Sequence, residues 1–411
     1  MAAASHLLPP AARARYADAI VSGGVGARRG DVIVLTGAPQ HRELIVALAE
    51  AAYRRGARHV DIEVADPFVA RARFAAGGKD AIGARAPWLR ARARALMQPD
   101  AAIVHVAGEG DPGAFAGIDP KLLANDAARV RNQIRAYSRG VVAGDVRWVI
   151  AGWPTEAWAT RVYPELNPMA AQRKLARDLL RFCRLGPRDG DGIRGWVEHA
   201  KALDRRAKTL TRLKLDRLEL RAPGTELTFR IAEGTRWEGG RTRTKSGIVT
   251  SPNMPTEEVF TSPEPTGTEG TFRCSRPLVF RGITIDGIAG EFRNGRLVRV
   301  EAARDEHRDL LAAFLDTDRG ARRLGEVALV DNSSRIGRAR RHYFSTLLDE
   351  NAAAHIAFGE GFPPTRVPGA KRVNQSALHL DVMIGTEDLE VIGRAARGRQ
   401  VSLIAGGAWQ I

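Results

Sequence analysis

The order of apolar runs near the N-terminus constrains this chain most. Asp31-Val32-Ile33-Val34-Leu35 is a short apolar run bounded by Gly30 and Gly37, as a buried strand would be. From Arg42 to Arg55, the residues Leu44, Ile45, Leu48, Ala51 and Ala52 fall on one helical face, and Gly56 supplies a stop. His59-Val60-Asp61-Ile62-Glu63-Val64 then alternates as a second strand, ended by Asp66-Pro67. Strand, helix and strand in that order imply a right-handed crossover in a parallel sheet. Ala101–Ala107 and Val146–Ala151 are further strand candidates, and Met169–Leu185 is patterned as a helix.

Near Arg205–Lys214 the character changes. Short strands dominate from Leu218: Glu226–Ile231 alternates, and Val279–Ile288 reads as one strand. Glu291–Val298 reads as a hairpin turning at Asn294-Gly295, since both central residues of such a turn need positive φ. Helical patterns return at Asp305–Leu315 and Phe344–Phe358. The expected fold is α/β: an N-terminal parallel-sheet α/β domain over residues 1–200, then a mixed α+β, β-rich metal-binding domain over residues 201–411.

Glycines do not mark a nucleotide site. Gly23, Gly24 and Gly26 precede the first convincing strand, whereas a dinucleotide loop follows a strand and opens a helix. The loop Gly108–Gly117 lacks the spacing, so no cofactor-binding residues are expected in either place.

Composition narrows the class. With 411 residues, 44% apolar and 27% charged, the chain suits a globular enzyme of two or three domains. No apolar stretch is long enough to span a bilayer, and no signal peptide is evident, so no membrane partner is expected. Cys183 and Cys274 are the only thiols, which points to a reducing, cytoplasmic setting and excludes a cysteine-built metal site. The net charge of +16 invites a nucleic-acid reading. The arginines are scattered, however, with Arg335, Arg338, Arg340 and Arg341 the densest run, and few aromatics interleave with them. No nucleic-acid partner is expected.

The chemistry-bearing residues gather in the second half. In an extended segment His379 and Asp381 project from one face, so an imidazole nitrogen and a carboxylate could share a divalent ion. His355 lies among small alanines, with Asn351 four residues before it on the same face of the expected helix. Glu350 is five residues before His355, so it reaches a shared site only if the helix starts late or it approaches from another side. Glu326 heads the apolar run Val327-Ala328-Leu329-Val330, where an unpaired charge would be costly. One of Glu257 and Glu258 should face inward if their segment is extended. Glu258, Glu326, His355, His379 and Asp381 together offer three carboxylates and two imidazoles, a mix that suits a pair of zinc, cobalt or manganese ions.

Four blocks carry a family resemblance: Asn253–Thr261, Leu324–Val330, Asp349-Glu350-Asn351 with His355, and Asn374-Gln375-Ser376 with His379-Leu380-Asp381. In this order, and in a chain whose length matches a whole member, they resemble the aminopeptidase T and aminopeptidase S family of thermophilic-type metallopeptidases. The resemblance implies a homodimeric aminopeptidase with two divalent metals and a peptide substrate. It implies Glu258 as the first ligand and Glu326 as a ligand shared by both metals. His355, His379 and Asp381 complete the implied set, and Glu350 matches a family glutamate near the metals that could shuttle a proton. One departure stands out. Family members usually carry a tyrosine seven residues after the histidine matching His355, where this chain has Phe362. A related branch cleaves dihydroxypyridine rings with one iron and oxygen, which keeps a small-molecule dioxygenase as an alternative. A basic, non-catalytic binding protein is the third.

Overall fold

The computed structural model describes residues 6–108, 114–115, 117–190, 192–280, 283–362, 373–396 and 398–411. The chain forms two compact units. The first comprises Met1–Ile118, Arg129–Lys201 and Gly240–Thr256, and the second Asp119–Ala128, Ala202–Gly239 and Glu257–Ile411.

The first unit is built on a five-stranded parallel sheet. Its order is His59–Val64, Val32–Gly37, Ala101–Ala107, Trp148–Gly152 and Asn253–Met254. Helix Arg42–Arg54 makes the expected crossover, with Leu44, Leu48 and Ala51 buried against Ile33, Leu35, Ala102 and Val104. Beyond the expected boundary, Gly240–Thr256 belongs to this unit and supplies the short fifth strand. Gly23 and Gly24 close a π-helical turn, Ile20–Gly24, ahead of the sheet. Most of the Gly108–Gly117 loop lies outside the described residues. Among the described residues one arginine is wholly internal. Arg147 pairs with Asp31 at 2.6 Å and donates to the carbonyls of Val25, Gly26 and Pro99, so its buried charge is fully partnered.

The second unit contains an eight-stranded antiparallel sheet. Its order is Arg296–Glu301, Ala289–Arg293, Pro263–Arg273, Thr225–Ile231, Leu215–Ala222, Glu390–Ala395, Gln400–Ala405 and Ala408–Trp409. The hairpin at Asn294-Gly295 forms as its sequence predicts, with φ of 50° and 72°. Helix Asp305–Leu315 also forms. Two expectations fail. Val279–Ile288 is not one strand: Leu278–Phe280 and Ile283–Ile285 pair with each other as a small antiparallel ladder. The expected helix Phe344–Phe358 is a four-residue helix, Thr346–Asp349, a 3-10 turn, Glu350–Ala352, and then a strand, His355–Gly359. β-Branched and aromatic residues at its end, Ile356 and Phe358, gain more from pairing within a sheet than from a continued helix.

That strand belongs to a second, four-stranded antiparallel sheet. Its order is Glu258–Thr261, Leu324–Val330, His355–Gly359 and His379–Met383. One face is apolar: Val259, Val327, Leu329, Ile356, Phe358, Leu380 and Val382 join a single buried core. The residues between them point the other way. Glu258, Glu326, His355, His379 and Asp381 all lie on that opposite face.

Candidate metal centre

Register explains how five residues spread over more than a hundred positions converge. Glu326 and Asp381 both pair with Ala357, one from each neighbouring strand. His355 is two residues from Ala357, and His379 is two residues from Asp381, so period-two alternation keeps all four on one face. Glu258 pairs with Val330, which shares a face with Ala328 and Glu326. The small side chains of Ala328 and Ala357 leave the middle of this face open to the longer residues around them. A bulge between Leu324 and Glu326 sets the register, with Gly325 as the extra residue. A Cβ at Gly325 would meet the Glu360 carbonyl at 2.2 Å, so only glycine fits there.

Two triads result. Ligand atoms of Glu258, Glu326 and His355 lie within 4.8 Å of one another, as do those of Glu326, His379 and Asp381. Glu326 belongs to both. His355 Nε2 is 3.3 Å from Glu258 Oε2, and His379 Nε2 is 3.2 Å from Glu326 Oε2 and 3.4 Å from Asp381 Oδ1. All but His379 and Asp381 are buried, and those two are half-buried.

The imidazoles are held in a definite tautomer. His355 Nδ1 lies 3.0 Å from the main-chain oxygen of Glu350, and His379 Nδ1 lies 2.9 Å from that of Glu360. A carbonyl oxygen only accepts, so each Nδ1 carries a proton. Each Nε2 faces the carboxylates: protonated it donates to them, and once that proton leaves its lone pair is free for a metal, the arrangement that metal-ligating histidines use.

Electrostatics show the same need for cations. Burial raises Glu326 to about 7 against the opposing His379 hydrogen bond. Burial disfavours the charged form of His355, yet the hydrogen bond and charge of Glu258 outweigh it and carry the group up to about 10. His379 is also raised, its burial outweighed by Asp381 and Glu326, while His379 outweighs burial at Asp381 and lowers it. Without metal the cluster therefore holds protons, which divalent ions would replace. The donor set, the shared carboxylate and the fixed tautomers all fit divalent metal.

Glu350 is buried on the 3-10 turn and belongs to neither triad. It approaches from beside the sheet, close enough that the charges of Asp381, Glu258, His355 and Glu326 all act on it. Burial first, then Asp381 and Glu258, raise its pKa well above the usual carboxylate range. His355 is on a strand, so it does not share a helix face with Asn351. Asn351 instead accepts a hydrogen bond from the Glu257 amide at 2.7 Å. Phe362 lies against the site: its ring is 5.7 Å from the His379 ring, edge to face, and 4.7 Å from Phe260. Its amide donates to Ser262 Oγ. Sequence reasoning missed the roles of the Glu350 and Glu360 carbonyls, because a main-chain oxygen leaves no mark on residue type.

The chain as a whole has known relatives. Residues 11–409 match the family described as thermophilic metalloprotease (M29). Aminopeptidase T of Thermus thermophilus is 33% identical over 404 residues, covering 97% of this chain and 98% of that protein. Aminopeptidase 2 of Geobacillus stearothermophilus is 33% identical over 405 residues, covering 96% and 97%. The structure of wild-type AmpT from Thermus thermophilus superposes with a TM-score of 0.86 at 32% identity, over 98% of this chain and 99% of that one. The 2,5-dihydroxypyridine dioxygenase of Pseudomonas putida KT2440, at 15% identity and a TM-score of 0.51, shares the fold. The chain belongs to the thermophilic metalloprotease family, whose members are metal-dependent peptide hydrolases. No described helix is long and apolar enough to cross a membrane.

Proposed function

We propose that this metalloprotease is an aminopeptidase, releasing N-terminal residues from peptides at a centre of two divalent ions. The observation that carries the reading is the pair of ligand triads joined at Glu326. Glu258 and His355 would hold one ion, His379 and Asp381 the other, and Glu326 both. Zinc, cobalt and manganese suit these nitrogen and oxygen donors. Such ions, when bound, polarise a carbonyl and bring the pKa of a water toward ~7.

The chain's own groups supply the rest. Glu350, next to the ligands, would be favoured in its ionised form by bound cations, and as a carboxylate is suited to take a proton from the attacking water and return it to the leaving amine. The concentration of carboxylates favours a substrate's free amine, which makes exopeptidase action the natural outcome. Phe362 supplies a ring beside His379 and no hydroxyl, so any hydrogen bond to a developing oxyanion must come from another group. The two free thiols, Cys183 and Cys274, suit a cytoplasmic enzyme. By the resemblance of the motifs, the working form is a homodimer.

Anaerobic assay of the zinc-, cobalt- and manganese-loaded protein on short peptides tests the reading. Release of the N-terminal residue without oxygen is expected. Activity only with iron and oxygen, on a dihydroxypyridine ring, would replace it with the dioxygenase reading.

A further inference from the structure

We propose that Asn351 is a positioning residue that fixes Glu258 and Glu350 relative to each other around the centre. The inference rests on the two-metal reading of that site.

Asn351 is completely buried, at 0% exposure, in the turn that carries Glu350. Its Oδ1 accepts from the Glu257 amide at 2.7 Å. Its Nδ2 donates to the Leu347 carbonyl at 2.9 Å and to Glu350 Oε1 at 3.3 Å. Both amide hydrogens are thus used, and the orientation is fixed by chemistry. A flipped amide would set its oxygen against a carbonyl and a carboxylate, and its NH2 against an N–H.

The consequence is geometric. Glu257 immediately precedes Glu258, the first residue of its strand. Gripping the Glu257 amide fixes where that strand begins and where the Glu258 carboxylate is aimed. The same side chain holds one oxygen of Glu350, while the Glu350 carbonyl holds His355 Nδ1. One short turn thus reaches three members of the site, and Asn351 is the side chain that ties it to the neighbouring strand. Partners one step removed from metal ligands set affinity and activity by about 10–100-fold.

Two substitutions separate its bonds. Asn351→Ala removes all of them. Asn351→Asp keeps the shape and the acceptor for Glu257, but loses the donors and sets a second acid against Glu350. The measurements are cobalt(II) titration followed by visible absorption, and kcat and KM on a short peptide. Asn351→Ala is expected to weaken cobalt binding by about 10-fold or more and to alter the spectrum. Asn351→Asp is expected to keep a wild-type spectrum and cobalt affinity while kcat falls about 10-fold or more with KM little changed. Cobalt affinity and spectrum unchanged in Asn351→Ala would overturn the proposal. If that variant does not fold, undiminished kcat in Asn351→Asp overturns it instead. A wild-type protein that binds cobalt and hydrolyses no peptide would sink the aminopeptidase reading alone, and the cobalt titrations would still decide on Asn351.

Discussion

The imidazole of His379 is anchored to Glu360, whose main-chain oxygen lies 2.9 Å from Nδ1. This bond turns Nε2 toward Glu326 and Asp381. On the proposed two-ion centre, His379→Ala or Asp381→Ala is therefore expected to empty one site and leave about one ion per chain. Glu326→Ala touches both triads and is expected to lower both occupancies. Elemental analysis after mild dialysis measures this. Equal metal loss in all three variants would argue against a shared Glu326.

In metal-free protein the contribution of Glu326 and His355 to stability should fall as pH rises. Glu326 has its pKa raised from 4.5 to about 7, and His355 from 6.5 to about 10. Between each pair of values the folded chain binds more protons than the unfolded one, so stability falls as pH increases. The two windows together run from about pH 4.5 to about pH 10. Melting temperatures of chelator-treated protein across that range, compared with those of Glu326→Gln, provide the check. The part of the slope between pH 4.5 and about 7 should shrink in the variant, and an identical slope there would contradict the proton count. Added metal should stabilise most at the alkaline end, where fewer protons compete for the ligands.

Glu350→Gln keeps the volume of the side chain and removes the base. Turnover is expected to fall by ~10²–10⁴, the range of general acid–base catalysis, while metal content stays at the wild-type value. A variant that loses metal in step with activity would make Glu350 a ligand rather than a proton carrier.

The ring of Phe362 rests against His379, so a hydroxyl added to it enters the site's immediate surroundings. Loss of a single oxyanion donor costs ~10²–10³ in turnover in well-studied enzymes. Phe362→Tyr is expected to raise peptide turnover by roughly tenfold or more, within that range. No gain, alongside good native activity, would show that another group already supplies the hydrogen bond. Inactivity of both forms on peptides would point to a different substrate.

Local features were legible in the sequence because their causes are local. Asn294-Gly295 turns a hairpin since these residues tolerate positive φ wherever they occur. The crossover Val32–Val64 follows from its own apolar periodicity. His379 and Asp381 share a face because they are two apart on a strand. Residue type and motif resemblance also identified Glu258, Glu326, His355, His379 and Asp381 as a set. Their meeting was decided by tertiary structure. Pairing of Ala357 with both Glu326 and Asp381 depends on strand register, which the chain adopts only once its apolar face is buried. The same burial made His355 a strand residue where the pattern from Phe344 to Phe358 suggested a helix. The carbonyls that set each imidazole, and the amide that Asn351 grips, are main-chain groups common to nearly every residue. Sequence specifies their existence everywhere and their use nowhere; folding selects the few that meet a side chain.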